Sequence, residues 1–130
     1  MRVLKVCASV GLLICALGCR AILCSYDRQE SDASPSGRDV AMFVIQNCGA
    51  TTDYLSLVYL QDFGSAYSPA NVDESKMVFA IDGWQEIDLT WKGPNILEIT
   101  CRQVSGIPRL RRDRVRDVTV EYVDCPSTLK

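Results

Sequence analysis

From residue 39 onward the apolar positions recur with the spacing of strands. Val40, Met42 and Val44 alternate with Ala41, Phe43 and Ile45, so both faces of this stretch are apolar and the pattern predicts a central, doubly covered strand. Residues 47–53, NCGATTD, are turn formers, with Gly49 free to adopt a positive φ, and strand character resumes as YLSLVYLQ over 54–61. Residues 62–75 are rich in Gly, Ser, Pro, Asn and Asp and read as a long surface loop. A short apolar strand over 76–82 ends at the Asp82-Gly83 turn. The next segment, 85–92, sets Ile87, Leu89 and Trp91 against Glu86, Asp88, Thr90 and Lys92, which is a strand with one wet face. The turn Lys92-Gly93-Pro94-Asn95 leads to strands over 96–101 and 115–123, the last with Val118, Val120 and Tyr122 on one face. The sum is an all-β domain over 39–125, a single antiparallel β-meander of about six strands closed as a small sandwich or curled sheet, with a tail over 126–130.

The first 38 residues have a different texture. Arg2 and Lys5 precede the uncharged stretch 6–18, a basic n-region and short h-region of the kind found in signal peptides. Thirteen uncharged residues fall short of the ~20 that span a bilayer, although an extension through Cys24 would make a tilted single anchor the alternative. Ala16-Leu17-Gly18-Cys19 resembles the lipobox of bacterial lipoproteins, and that resemblance implies cleavage after residue 18 and lipid attachment at Cys19. A diacylglycerol thioether plus an N-acyl chain such as palmitate would anchor the chain stably in membrane lipid. Arg20, in place of the Asp that holds such proteins at the inner membrane, implies the outer membrane or the periplasmic face of the envelope. Residues 25–38, SYDRQESDASPSGR, carry almost no bulky apolar side chain, so 19–38 reads as a flexible, lipid-attached tether.

With Cys19 acylated, Cys24, Cys48, Cys101 and Cys125 form an even set in an oxidising compartment. Four cysteines allow three two-bridge pairings, and the sequence does not choose. Their spacings of 24, 53 and 24 residues lack the close pairs of a thiolate metal site, so no metal is assigned.

A second resemblance rests on SPSGR at 34–38, the apolar strand after it, and NCGATTDY at 47–54. These are similar to the S-P-D-G-K, strand, N/D-C-G-A-T-T pattern of a family of small uncharacterised bacterial proteins, many of them predicted lipoproteins. VFAIDG at 78–83 and VTVEY at 118–122 follow the same pattern, and Ser36 stands where the pattern has Asp. The resemblance implies the lipoprotein class and no assigned activity. It also implies that only the position of Cys48 is shared, with Cys24, Cys101 and Cys125 added in this chain.

The chain has 130 residues, a net charge of −2 and no histidine. The missing histidine removes His-ligated zinc and the Ser-His-Asp and Cys-His nucleophile systems. The charge balance disfavours general nucleic-acid binding, and no dinucleotide, phosphate-loop or other cofactor motif is present. Two clusters remain. In the loop Asn47, Cys48, Gly49, Thr51, Thr52 and Asp53, a thiol could sit beside backbone N–H groups and hydroxyls, an anion- or thiolate-binding arrangement. The simpler reading is a hydrogen-bonded turn over a packed Cys48, since no base or cation adjoins it in sequence. Residues 102–116 hold six arginines, of which Arg109, Arg111, Arg112 and Arg114 form a candidate patch for an anion or an acidic partner. Its simpler reading is a solvated connection of ion pairs. Trp84 and Trp91 read first as core or sheet-face residues. The expected function is therefore a non-catalytic binding or structural module of the envelope, facing a protein or glycan partner. The alternative is a thiol-dependent enzyme or redox sensor using Cys48.

Overall fold

The computed structural model describes residues 24–49 and 52–128. The signal-like stretch and Cys19 lie outside the described residues. The described residues form nine strands: β1 (Ser25–Ala33), β2 (Asp39–Asn47), β3 (Leu55–Asp62), β4 (Met77–Asp82), β5 (Glu86–Gly93), β6 (Ile96–Arg102), β7 (Leu110–Arg111), β8 (Arg114–Val115) and β9 (Val118–Val123). They build two sheets, one ordered β1-β2-β3-β4-β7 and the other β5-β6-β9-β8. All pairings are antiparallel except β6 with β9, which is parallel. The all-β class and its consecutive hairpins follow the apolar pattern. Between β6 and β9 the chain contributes β7 to the first sheet and β8 to the second, so β6 and β9 are not joined by a hairpin.

The two-sided strand is where the pattern put it. Ala41, Phe43 and Ile45 of β2 join Val58, Leu60, Phe79 and Ile81 in the core between the sheets, against Ile87, Leu89, Leu97, Ile99, Val118 and Val120 of the facing sheet. On the other face of the first sheet Met42 and Val44 join Leu57, Tyr59 and Ala80 in a second buried cluster, with Val72 from the β3–β4 loop packed on it. That loop carries two single-turn 3-10 helices, Pro69–Asn71 and Glu74–Lys76. Its Tyr67 ring lies 5.5 Å from the Arg28 guanidinium of β1.

Residues 25–33, read from composition as part of the tether, form strand β1 instead. None of its side chains is fully buried. The strand is held by the backbone ladder to β2, from Ser25↔Asn47 to Ala33↔Val40, and an edge strand secured this way needs no apolar alternation. The Ser34–Arg38 turn closes this hairpin: Gly37, at φ 73, donates its N–H to the Ser34 carbonyl at 2.9 Å. The Ser34 hydroxyl, 2.9 Å from that of Ser36, accepts from the Asp39 N–H. At the side of the sandwich β1 and β5 seal each other. The Glu30 carboxylate accepts the Leu89 N–H at 3.2 Å, and the Trp91 indole N–H donates to the Asp32 carbonyl at 2.9 Å.

The expected last strand over 115–123 is broken into β8 and β9 by a tight turn at Arg116 and Asp117. Arg116 takes φ 54, a left-handed conformation uncommon for a residue with a β-carbon. Its guanidinium holds that turn in place, binding the Asp39 carboxylate of β2 and, at 2.6 Å, the Asp62 carboxylate of β3. These hydrogen bonds, with the positive charges of Arg116 and Lys76, keep the Asp62 carboxyl below its ordinary pKa.

Two predictions follow from this packing. The Tyr59 hydroxyl is buried without a hydrogen-bond partner among the described residues, and burial pushes its pKa up to about 12. Tyr59→Phe removes an unsatisfied polar group, so urea unfolding should find it neutral or stabilised by about 1 kcal/mol, and a loss of stability would contradict this. Arg116→Ala leaves the Asp39 side chain, which is only 10% exposed, without its cation and should cost about 1–3 kcal/mol at pH 7. Because the folded pKa of Asp62 is depressed, its stabilising contribution is present above the unfolded value and is lost as pH falls through the folded one. Below pH ~4 the wild-type stability should fall more steeply than that of Arg116→Ala.

Candidate functional site

The Asn47–Asp53 loop sits at the end of the β2–β3 hairpin, and the cysteine pairing left open by the sequence is resolved there. Cys24 bonds to Cys48 and Cys101 to Cys125. Since Ser25 pairs with Asn47, the Cys24–Cys48 bridge extends the β1–β2 ladder by one step beyond its last residue pair. Cys101–Cys125 ties the ends of the parallel strands β6 and β9, where Thr100 pairs with Val123. Cys48 is thus a disulfide sulfur rather than a free thiol, and a nucleophile there would require reduction.

The loop itself is organised by local hydrogen bonds. Asn47 Oδ1 accepts the Gly49 N–H at 3.0 Å, and Thr52 donates through both its N–H and its hydroxyl to the Gly49 carbonyl. Gly49 has φ 117, the positive value the turn pattern requires. Thr51 lies outside the described residues. Gln46, Cys48, Thr52, Asp53, Leu55, Asp82 and Arg109 surround a recess of about 370 Å³. One arginine of the 102–116 cluster therefore does reach the loop, and it arrives paired, with its guanidinium 2.7 Å from the Asp82 carboxylate.

The other arginines are dispersed and engaged. Arg111 donates to the carbonyls of Cys125 and Pro126 at 3.1 and 2.8 Å and lies 4.2 Å from the centre of the Tyr122 ring, securing the C-terminal segment. Burial raises the Tyr122 pKa, and its hydroxyl donates to the Arg112 carbonyl at 2.6 Å. Arg112 donates to the carbonyls of Glu74 and Met77, and Arg114 to that of Arg116. Arg109, Arg111, Arg112 and Arg114 thus engage different parts of the fold.

A third feature escapes the sequence pattern. Where β1 bulges at Gln29, between Arg28 and Glu30, a groove of about 410 Å³ opens between the sheet edges. Gln29 and Glu30 line one side, Glu86, Asp88 and Arg102 the other, and Trp84 and Gln85 the end. Arg102 is ion-paired with Asp88. Burial raises the Glu30 carboxyl pKa, and the hydrogen bond from Leu89 opposes that shift.

Trp84 is 52% exposed, and its ring is nearly perpendicular to that of Tyr54, with centroids 5.2 Å apart. Its backbone is firmly held. Gly83 donates to the Tyr54 carbonyl at 2.6 Å, the Ser56 hydroxyl bridges the Gly83 carbonyl and the Gln85 N–H, and Gln85 Nε2 donates to the carbonyls of Asp82 and Ser105. At φ 94, Gly83 is the residue the turn needs, and a β-carbon there would come within 3.0 Å of Gln85 Nε2. The Asp82-Gly83 turn signal was readable, whereas the exposure of the following tryptophan depends on the sandwich corner beside it.

Comparison with protein-family models, curated proteins and solved structures finds no match for this chain.

Each disulfide closes a sequence separation of 24 residues, and removing one should raise the entropy of the unfolded chain. Replacing both Cys101 and Cys125 with serine should destabilise the domain by about 3 kcal/mol in non-reducing denaturation. Unchanged stability would mean that this bridge does not form.

Proposed function

We propose that this chain is an exported, lipid-anchored envelope protein whose β-sandwich is a non-catalytic binding module for a protein or glycan partner. The observation that carries the reading is the pair of disulfides in a domain this small, a combination that belongs to oxidising compartments. The basic and apolar N-terminus and the lipobox-like Ala16-Leu17-Gly18-Cys19 supply the route to such a compartment and the means of attachment. Among the described residues no helix is long and apolar enough to cross a membrane. Anchorage in this reading rests on lipid at Cys19. The first strand then begins only six residues beyond the anchor, at Ser25, already paired to β2. A short attachment of this kind would hold the domain close to the membrane surface and restrict the partners it can meet there. The thiol-dependent alternative would first need the Cys24–Cys48 bond reduced, and we do not adopt it.

Intact-mass measurement of the protein from its native membrane fraction tests the reading, with alkylation before and after reduction. The expected species is residues 19–130 carrying acyl chains, with four cysteines that alkylate only after reduction. An unmodified mass for all 130 residues would overturn lipid anchorage.

A further inference from the structure

We infer that the groove beside Trp84 binds an uncharged oligosaccharide, with one sugar ring stacked on the exposed indole and its hydroxyls bonded to the groove walls. The inference rests on the binding-module reading and names the ligand class and the site.

The chemistry of a pyranose ring is two-sided: its C–H groups present a flat apolar face and its hydroxyls a rim of combined donors and acceptors. The groove supplies both counterparts. Trp84 offers a flat apolar surface on a turn fixed by hydrogen bonds from Gly83, Ser56 and Gln85, so little ordering entropy remains to be lost on binding. Gln29 lines the groove with an amide that both donates and accepts, and Gln85, whose two amide N–H groups are engaged by Asp82 and Ser105, presents its amide oxygen as an acceptor. Glu30, Glu86 and Asp88 are acceptors, and Arg102 is a donor. The bulged residue Gln29 lines this groove, next to the Glu30–Leu89 seal. A volume of about 410 Å³ falls in the range of small-molecule sites.

Charge narrows the class. Three carboxylates face one guanidinium, and Asp88 already engages that guanidinium. Phosphate, sulfate and uronate groups would meet net repulsion. An apolar peptide or acyl chain would have to desolvate several charged groups without pairing them. A neutral, hydroxyl-rich ligand avoids both costs.

The test is isothermal titration calorimetry on the full lipidated chain, kept in a polyoxyethylene detergent so that no sugar headgroup competes. The probes are the uncharged β-1,4-linked tetrasaccharides of glucose and of N-acetylglucosamine, with a sulfated glucose tetrasaccharide for comparison. Saturable binding of at least one neutral probe is expected, with a dissociation constant of about 1 mM or tighter. The sulfated probe should bind more weakly than its neutral parent. Trp84→Ala should weaken binding about tenfold or more, whereas Trp84→Phe, which keeps a flat ring, should retain most of it. Near-ultraviolet circular dichroism and the urea midpoint check that both variants stay folded. The inference is overturned if neither neutral probe binds, if Trp84→Ala binds as tightly as wild type, or if the sulfated sugar binds best. None of these outcomes alters the acylated mass, so failure here is distinguishable from failure of the anchored-module reading.

Discussion

Burial of β2, β3 and β4 on both faces is the constraint on which the rest of the structure depends. A strand whose successive side chains are all apolar cannot lie on a surface sheet. The second sheet covers one face, packing Ile87, Leu89, Leu97 and Ile99 against Phe43, Val58 and Phe79. The other face holds Met42, Val44, Leu57 and Tyr59, and the long β3–β4 loop folds back to place Val72 on them. That loop's length thus has a structural cause, since a tight hairpin could not reach back over the sheet.

The polar parts of the molecule follow from the same arrangement. A sandwich must dispose of its sheet edges, and here β1 and β5 do so mutually through Glu30 with Leu89 and Trp91 with Asp32. Arg116 ties the left-handed turn between β8 and β9 to Asp39 and Asp62 of the first sheet. The groove beside Trp84 lies where the edge seal stops and the β1 bulge begins, so its shape is a consequence of how the sandwich closes. A site built on strand edges and a hydrogen-bonded turn is rigid by construction, as selective capture of a weakly binding neutral ligand requires.

Much of this was legible in the chain. The two apolar faces at 40–45 and the alternation at 86–92 each predicted the strand that forms and the way it faces. The unreadable parts have definite causes. Ser25–Ala33 looks like a tether because an edge strand can draw its stability from backbone pairing, which leaves no periodic trace in the side chains. The break at Arg116 was hidden because a left-handed arginine carries no local signal and is secured by two carboxylates more than fifty residues away. Cysteine pairing depends on strand register and parallel β6–β9 contact, neither of which spacing encodes. The arginine cluster seemed to be one feature in sequence because its members are close in chain; β7, β8 and their turns send them to different partners. Trp84 was underestimated for the converse reason, since Gln29, Glu30 and Arg102, its neighbours around the groove, come from distant strands.

β1 carries both the edge seal and one wall of the groove, so the sandwich as described depends on its pairing with β2. Hydrogen–deuterium exchange of the oxidised protein, followed by mass spectrometry of peptides covering residues 25–33, tests this most directly. These amides should stay protected well beyond the exchange time of an unstructured chain, though less than those of β2 and β3. Exchange of 25–33 at the rate of an unstructured peptide would return the segment to a tether and remove the groove with it.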